Sequence, residues 1–250
     1  MAAPIVDILM YHSISEDISP TSISPAAFKM QMAAIVATAV PVITLDEYLE
    51  ARAGKRTLAP RSVILTFDDG FQDFADVAWP VLRPLGLRPI VYLPTAHVGR
   101  HENWAHCHQP PRKIMDWPLI RQMAAQGVTF GNHTVSHPRL PLLPADVVDA
   151  ELAAARQQIS AMLGHKVRHF AAPYGASTPE IRQKIAQHHA TNVSTILASA
   201  SLTSDPHDLP RLEMFYFTNP FLWRHHLAGR GAPYLAARRM VRQVRKLLVR

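Results

Sequence analysis

Short apolar runs alternate with helix-length segments along this chain, and that alternation limits its fold more than any other feature. "VDILMYH", "SVILTF", "RPIVYLPT", "VTFGNH" and "VRHFAAPYG" read as strands. Between them lie five helical stretches. "SPAAFKMQMAAIVAT" opens at Ser24 and Pro25, "PVITLDEYLEARAG" closes at Gly54, and "MDWPLIRQMAAQG" follows. "LPADVVDAELAAARQQISAMLG" runs from near Pro144 to Gly164, and "STPEIRQKIAQHH" carries Ser177 and Glu180 as a capping box. "DFADVAWPVLRPLG" reads as a further helix, broken at Pro80. Strands regularly separated by helices predict an α/β fold with a mostly parallel sheet, open or closed into a barrel. A chain of 250 residues, 48% hydrophobic, has enough material for one such core. Residues 1–228 are read as one domain and 229–250 as a basic amphipathic tail.

Composition narrows the setting. The net charge is +7, yet the seven basic residues from Arg230 onward, with no acid among them, leave 19 basic against 19 acidic residues in the body. The high isoelectric point therefore describes a tail, and a nucleic-acid-binding body is not expected. No apolar run approaches the roughly 20 residues of a membrane-spanning helix. The start, "MAAPIVDILMYH", lacks a signal peptide's basic opening, and the single Cys107 has no partner for a disulfide. The expectation is a cytoplasmic protein, with peripheral contact at the inner membrane face through the tail as an option.

In parallel α/β folds chemistry gathers in the loops after the carboxyl ends of strands. Four polar clusters fall there: His12, Asp68–Asp69, His133 to His137, and Pro173-Tyr174-Gly175. Adjacent carboxylates repel, which is tolerable where a cation neutralises one and leaves the other as a base. The competing reading of "DDG" is a turn or a helix cap. Imidazole and carboxylate suit a divalent metal, Zn2+ first, with Co2+, Ni2+ or Mn2+ as alternatives. His133 and His137 stand four apart, a spacing that one helical turn would bring to one side. His97/His101 and His165/His169 have the same spacing. The last pair precedes a strand, at the wrong end for the site, whereas 97/101 also follows one and stays in competition.

Taken together, "TFDDG", "HTVSH" and "APYG" resemble the three motifs of the polysaccharide deacetylase family, the NodB-homology carbohydrate esterases (carbohydrate esterase family 4). "ILMYHSI", "VITLDEYLE" and "LPRLEM" are similar to its poly-N-acetylglucosamine deacetylase branch, and the likeness spans roughly Ile5 to Phe217. It implies a distorted (β/α)7-type barrel with a circularly permuted motif order. It also favours 133/137 over 97/101: Asp69, His133 and His137 as metal ligands, and Asp68 as general base. The implied activity is metal-assisted hydrolysis of an N-acetyl group on an amino sugar of a polysaccharide, oligosaccharide or glycoconjugate. The backbone N–H of Tyr174 would stabilise the oxyanion, and Pro173, Tyr174 and Trp104 would touch substrate. Rival readings are an amidohydrolase of cyclic imides or formamides, and an inactive carbohydrate-binding protein of the same fold.

Two departures from the family pattern bear on mechanism. The late "LxH" acid motif is missing, since His225 and His226 lie in no matching strand. "DILMYH" offers an apolar strand ending in His12, and a closed barrel accepts a strand from the front of the chain, so His12 is expected to be the general acid. The arginine common in the third motif is Ala171 here, and Arg211 is the expected substitute. "NWAHCHQPPRK", with His106, Cys107 and His108, reads as a loop over the site. Trp104 and Trp117 are candidates for sugar stacking or for core packing. In the tail, Arg238, Arg239, Arg242, Arg245, Lys246 and Arg250 share one helical side, and Tyr234, Ala237, Val241, Val244 and Leu248 another.

Overall fold

A computed structural model of the chain describes residues 3–17, 19–105 and 107–248, with side chains to residue 244. His106 and Arg250 lie outside the described residues, as do the side chains of Arg245, Lys246 and Leu248. Among the described residues, seven parallel strands close into a barrel. They are β1 (Ile5–Tyr11), β2 (Arg61–Phe67), β3 (Pro89–Leu93), β4 (Thr129–Asn132), β5 (His169–Ala171), β6 (Thr191–Leu197) and β7 (Leu209–Glu213). β1 pairs with β2 over its whole length, Ile5 opposite Arg61 through Tyr11 opposite Phe67. Its other edge pairs with β7, Leu9 opposite Leu212, which closes the ring with a strand from the front of the chain.

Strand parity sorts the core into two layers, because successive side chains on a strand point to opposite faces. Val6, Ile8, Ile64, Ile90, Tyr92, Val193 and Leu209 fill the barrel, plugged at its amino end by Leu45 and Tyr48. Leu9, Tyr11, Leu65, Phe67, Val91, Leu93, Phe130 and Leu212 point outward beneath the helices. The same alternation sends Asp68, two positions beyond Thr66, and His12, two beyond Met10, toward the barrel axis at its carboxyl end.

The helices follow their local signals. α1 (Pro25–Ala37) is capped by Ser24, and α2 (Leu45–Arg52) by a reciprocal capping box between Thr44 and Glu47. α3 spans Trp117–Ala125, and α4 (Ala145–Leu163) stops at Gly164 in a left-handed conformation. α5 (Pro179–His188) takes its cap from Thr178, not Ser177, since Thr178 accepts the Ile181 N–H and leaves Pro179 at the first helical position, where no N–H is needed. Pro80 does not break its segment. A π-turn over Phe74–Ala78 widens the ladder just ahead of it, and Trp79–Leu82 continues as α-helix. α6 (Pro220–His225) and α7 (Ala232–Leu248) complete the chain. No described helix is long and apolar enough to cross a membrane.

Strands β6 and β7 escaped the sequence reading. The first is interleaved with Thr, Asn and Ser, and the second holds Arg211 in the core, where charge is rare.

Candidate active site

Asp69, His133 and His137 converge at the carboxyl mouth of the barrel. Asp69 Oδ1 lies 3.4 Å from His133 Nε2 and 3.3 Å from His137 Nε2, and all three residues are buried. Among the described residues this is the one cluster of three such ligands within coordinating reach of each other. The donors suit a metal on two further grounds. Asp69 Oδ1 is buried with no hydrogen-bond partner, a costly state for a carboxylate unless something fills the gap between the three atoms. His133 Nδ1 lies 2.7 Å from the Ala171 carbonyl, which fixes the proton on Nδ1 and leaves the Nε2 lone pair facing the cluster. Burial alone would raise the Asp69 carboxyl; the His133 and His137 imidazoles beside it outweigh that and hold it well below the ordinary range.

The histidine pair is not brought together by a helical turn. Residues 133–137 form an irregular loop in which Thr134 (φ 71°) and His137 (φ 58°) are left-handed. Asn132 Oδ1 accepts the Thr134 N–H at 2.7 Å, and Thr134 Oγ1 accepts the His137 N–H at 3.0 Å. From α4, Glu151 accepts three hydrogen bonds: the backbone N–H groups of Val135 at 2.7 Å and Ser136 at 3.0 Å, and the Ser136 hydroxyl at 2.7 Å. Sequence reasoning missed Glu151 and Asn132, and Glu151, on a distant helix, has no local signal.

Asp68 stands beside the cluster and outside it. Arg211 Nη1 and Nη2 donate to its two oxygens at 2.7 Å each, a fork-to-fork pair, while Nε donates to the Ser194 carbonyl at 2.9 Å. Burial pushes the Asp68 carboxyl up, but the Arg211 charge and hydrogen bonds outweigh it and keep the group anionic. His12 Nε2 lies 3.6 Å from Asp68 Oδ2. Burial lowers the His12 imidazole more than Asp68 and Asp69 raise it, so the ring is neutral at rest.

The oxyanion candidate, Tyr174, sits in a tight turn with φ 59°. Gly175 must follow it, because a Cβ there would meet Thr195 Oγ1 at 2.2 Å. The Tyr174 ring is held between the Arg139 guanidinium, 4.4 Å from its centroid, and the His137 ring at 4.8 Å. Of the five non-glycine residues with positive φ among the described residues, four belong to this site: Asp69, Thr134, His137 and Tyr174. Backbone strain concentrated in this way is typical of sites where the surroundings over-determine a geometry.

Trp104 is half-buried with its ring 4.1 Å from that of His137, so it walls the cluster, with His97 packed edge-on at 5.2 Å. His97 thereby borders the site, while exposed His101 bridges to Lys113 through its backbone. Trp117 packs at the start of α3 against the core, and Pro173 is buried, which leaves it setting the turn under Tyr174's backbone. Cys107 is a free thiol. His169 pairs with Asp46 at the opposite end of the barrel, and His226 is buried against Asp7, 3.0 Å away on β1.

Comparison with known proteins accords with this arrangement. The chain is 34% identical over 154 residues to a chitooligosaccharide deacetylase of Bradyrhizobium sp. (strain ANU 289), covering 60% of each protein. A chitooligosaccharide deacetylase of Sinorhizobium fredii is 31% identical over 167 residues, 66% of this chain and 67% of that one. The chain spans about three-fifths of the length of the first relatives it matches. In fold it superposes on IcaB from Ammonifex degensii with a TM-score of 0.77 at 24% identity, covering 91% of this chain and 97% of that one. The Streptococcus pyogenes deacetylase PplD in complex with acetate gives 0.73 at 24% identity, over 84% and 92%. The polysaccharide deacetylase family model matches residues 55–193, from just before β2 into β6, a span that holds both aspartates, the histidine loop and the Tyr174 turn. By that match the chain belongs to the polysaccharide deacetylase family.

Proposed function

We propose that this chain is a metal-dependent N-deacetylase acting on an N-acetylated amino sugar within a glycan or glycoconjugate. The observation that carries it is the division of labour between neighbours: Asp69 faces two imidazoles, while Asp68 is turned aside, held by Arg211 and left without a place among the ligands. A binding protein has no use for the second carboxylate. Asp69, His133 and His137 would hold the divalent cation, most simply Zn2+, which supplies Lewis-acid polarisation of an acyl oxygen and acidification of a water.

The chain's own groups account for the rest. Asp68, kept anionic by Arg211, accepts a proton from the attacking water. The Tyr174 N–H, in its fixed left-handed turn, donates to the oxygen that gains negative charge. An amine leaves only with a proton, and His12 is placed to deliver it. Because His12 rests neutral, that proton arrives during turnover, and the 3.6 Å gap to Asp68 offers the route. The Trp104 ring, beside His137, presents an apolar face suited to a sugar ring. The chitooligosaccharide deacetylases among its relatives support the choice of an acetylated amino sugar.

Metal analysis and acetate release from N-acetylated chitooligosaccharides test the reading in wild type, Asp68→Asn and Asp69→Asn. Both variants lose activity, the first with metal retained and the second with metal lost. Metal retained in Asp69→Asn, or turnover of formamides or cyclic imides without acetate release, would overturn it.

A further inference from the structure

The last helix meets the barrel with only the edge of its apolar side, at Tyr234. α7 packs through Leu235, 5% exposed, and Tyr234, whose hydroxyl donates to the Tyr216 carbonyl at 2.5 Å. Arg238 lies over the rings of Tyr216 and Tyr234, at 5.0 and 5.2 Å from their centroids. One turn on, Arg242 is half-buried.

Its apolar stripe is left bare. Ala237, Met240, Val241 and Val244 fall within an arc of about 100° at 3.6 residues per turn. Ala237 is exposed, and Met240, Val241 and Val244 are 66%, 52% and 49% exposed. No acidic residue follows Glu213 in the sequence, whereas eight basic ones do. A narrow stripe of small and flexible apolar side chains, on a helix that carries arginines and no acid, matches an anionic bilayer surface in both apolarity and charge. It matches a second copy poorly, since stripe-to-stripe pairing would bring two arginine-rich helices together.

We propose that α7 is a docking surface for an anionic phospholipid bilayer, lying in the headgroup layer with Ala237, Met240, Val241 and Val244 inward. The catalytic reading is not needed for this.

Flotation of the full chain with vesicles decides it. Binding to phosphatidylcholine vesicles containing about 30% phosphatidylglycerol is expected to exceed binding to pure phosphatidylcholine by at least about tenfold, and to collapse in about 0.5 M salt. The double variant Val241→Glu/Val244→Glu should bind at least about tenfold more weakly with an unchanged thermal melt, and Val241→Leu/Val244→Leu more tightly. Failure of the wild type to float with the anionic vesicles would overturn the proposal, as would equal binding by all three proteins. A dimer in sedimentation equilibrium that the glutamate variant dissolves would assign the stripe to a second copy instead.

Discussion

Arg211 reaches from β7 to hold both carboxylate oxygens of Asp68 at 2.7 Å, with the arginine side chain wholly buried and the aspartate nearly so. Removing one partner of a buried pair strands the other charge, which typically costs about 3–5 kcal/mol. Arg211→Ala should therefore lose about 3 kcal/mol in a denaturant melt and at least about a hundredfold in kcat, with metal content unchanged. Arg211→Lys keeps the charge without the fork and should fall between. Loss of metal from Arg211→Ala would show that the residue supports the cluster and not the base.

His12 sits 3.6 Å from Asp68 and outside the ligand cluster. His12→Ala should lower kcat about 10²–10⁴-fold, the usual range for a positioned acid, and leave bound metal at wild-type stoichiometry. Near-normal acetate release would remove His12 from the reaction.

Glu151 ties the 133–137 loop to α4 through three hydrogen bonds. Partners that orient metal ligands are typically worth about 10–100-fold in affinity, so Glu151→Gln should weaken metal binding on that scale in a competition titration with a chromogenic chelator. Unchanged affinity would mean that the strained loop holds its shape alone.

His189 gives a pH signature. Burial, helped by Arg156, pushes its imidazole down to about 3, and Asn132 donates to its Nε2 at 3.0 Å. The unfolded chain takes up the proton near pH 6.5 while the folded chain refuses it, so stability is full above that pH and falls as the pH drops toward about 3. At pH 5 the loss from this residue should be about 2 kcal/mol. His189→Gln keeps an acceptor for Asn132 without a titrating group. Its stability should fall less steeply than wild type's between pH 7 and 5 in parallel melts, and equal slopes would refute the assignment.

Much of this was legible in the sequence because it obeys local rules. Period-2 alternation places Asp68 and His12 inside the barrel, and the caps at Ser24 and Gly164 mark where α1 and α4 begin and end. What stayed hidden depends on distant partners. Nothing near Glu151 in the chain announces a loop sixteen residues upstream. The shape of "HTVSH" comes from left-handed residues at Thr134 and His137, which β-branched and bulky side chains disfavour and which a helical spacing argument therefore misreads. β7 was obscured because its buried arginine is a polar device within a core strand. Its meaning appears only once Asp68 is seen opposite.

The pairing of β1 with β7 has a consequence for how the molecule is made. As the chain leaves the ribosome, the neighbour for the second edge of β1 emerges after all the other strands of the ring, so the ring stays unzipped along one seam until β7 appears. His12 borders that seam from one side and Arg211 from the other. Until that seam shuts, Asp69, His133 and His137 can come together while Asp68 still lacks the guanidinium that holds it.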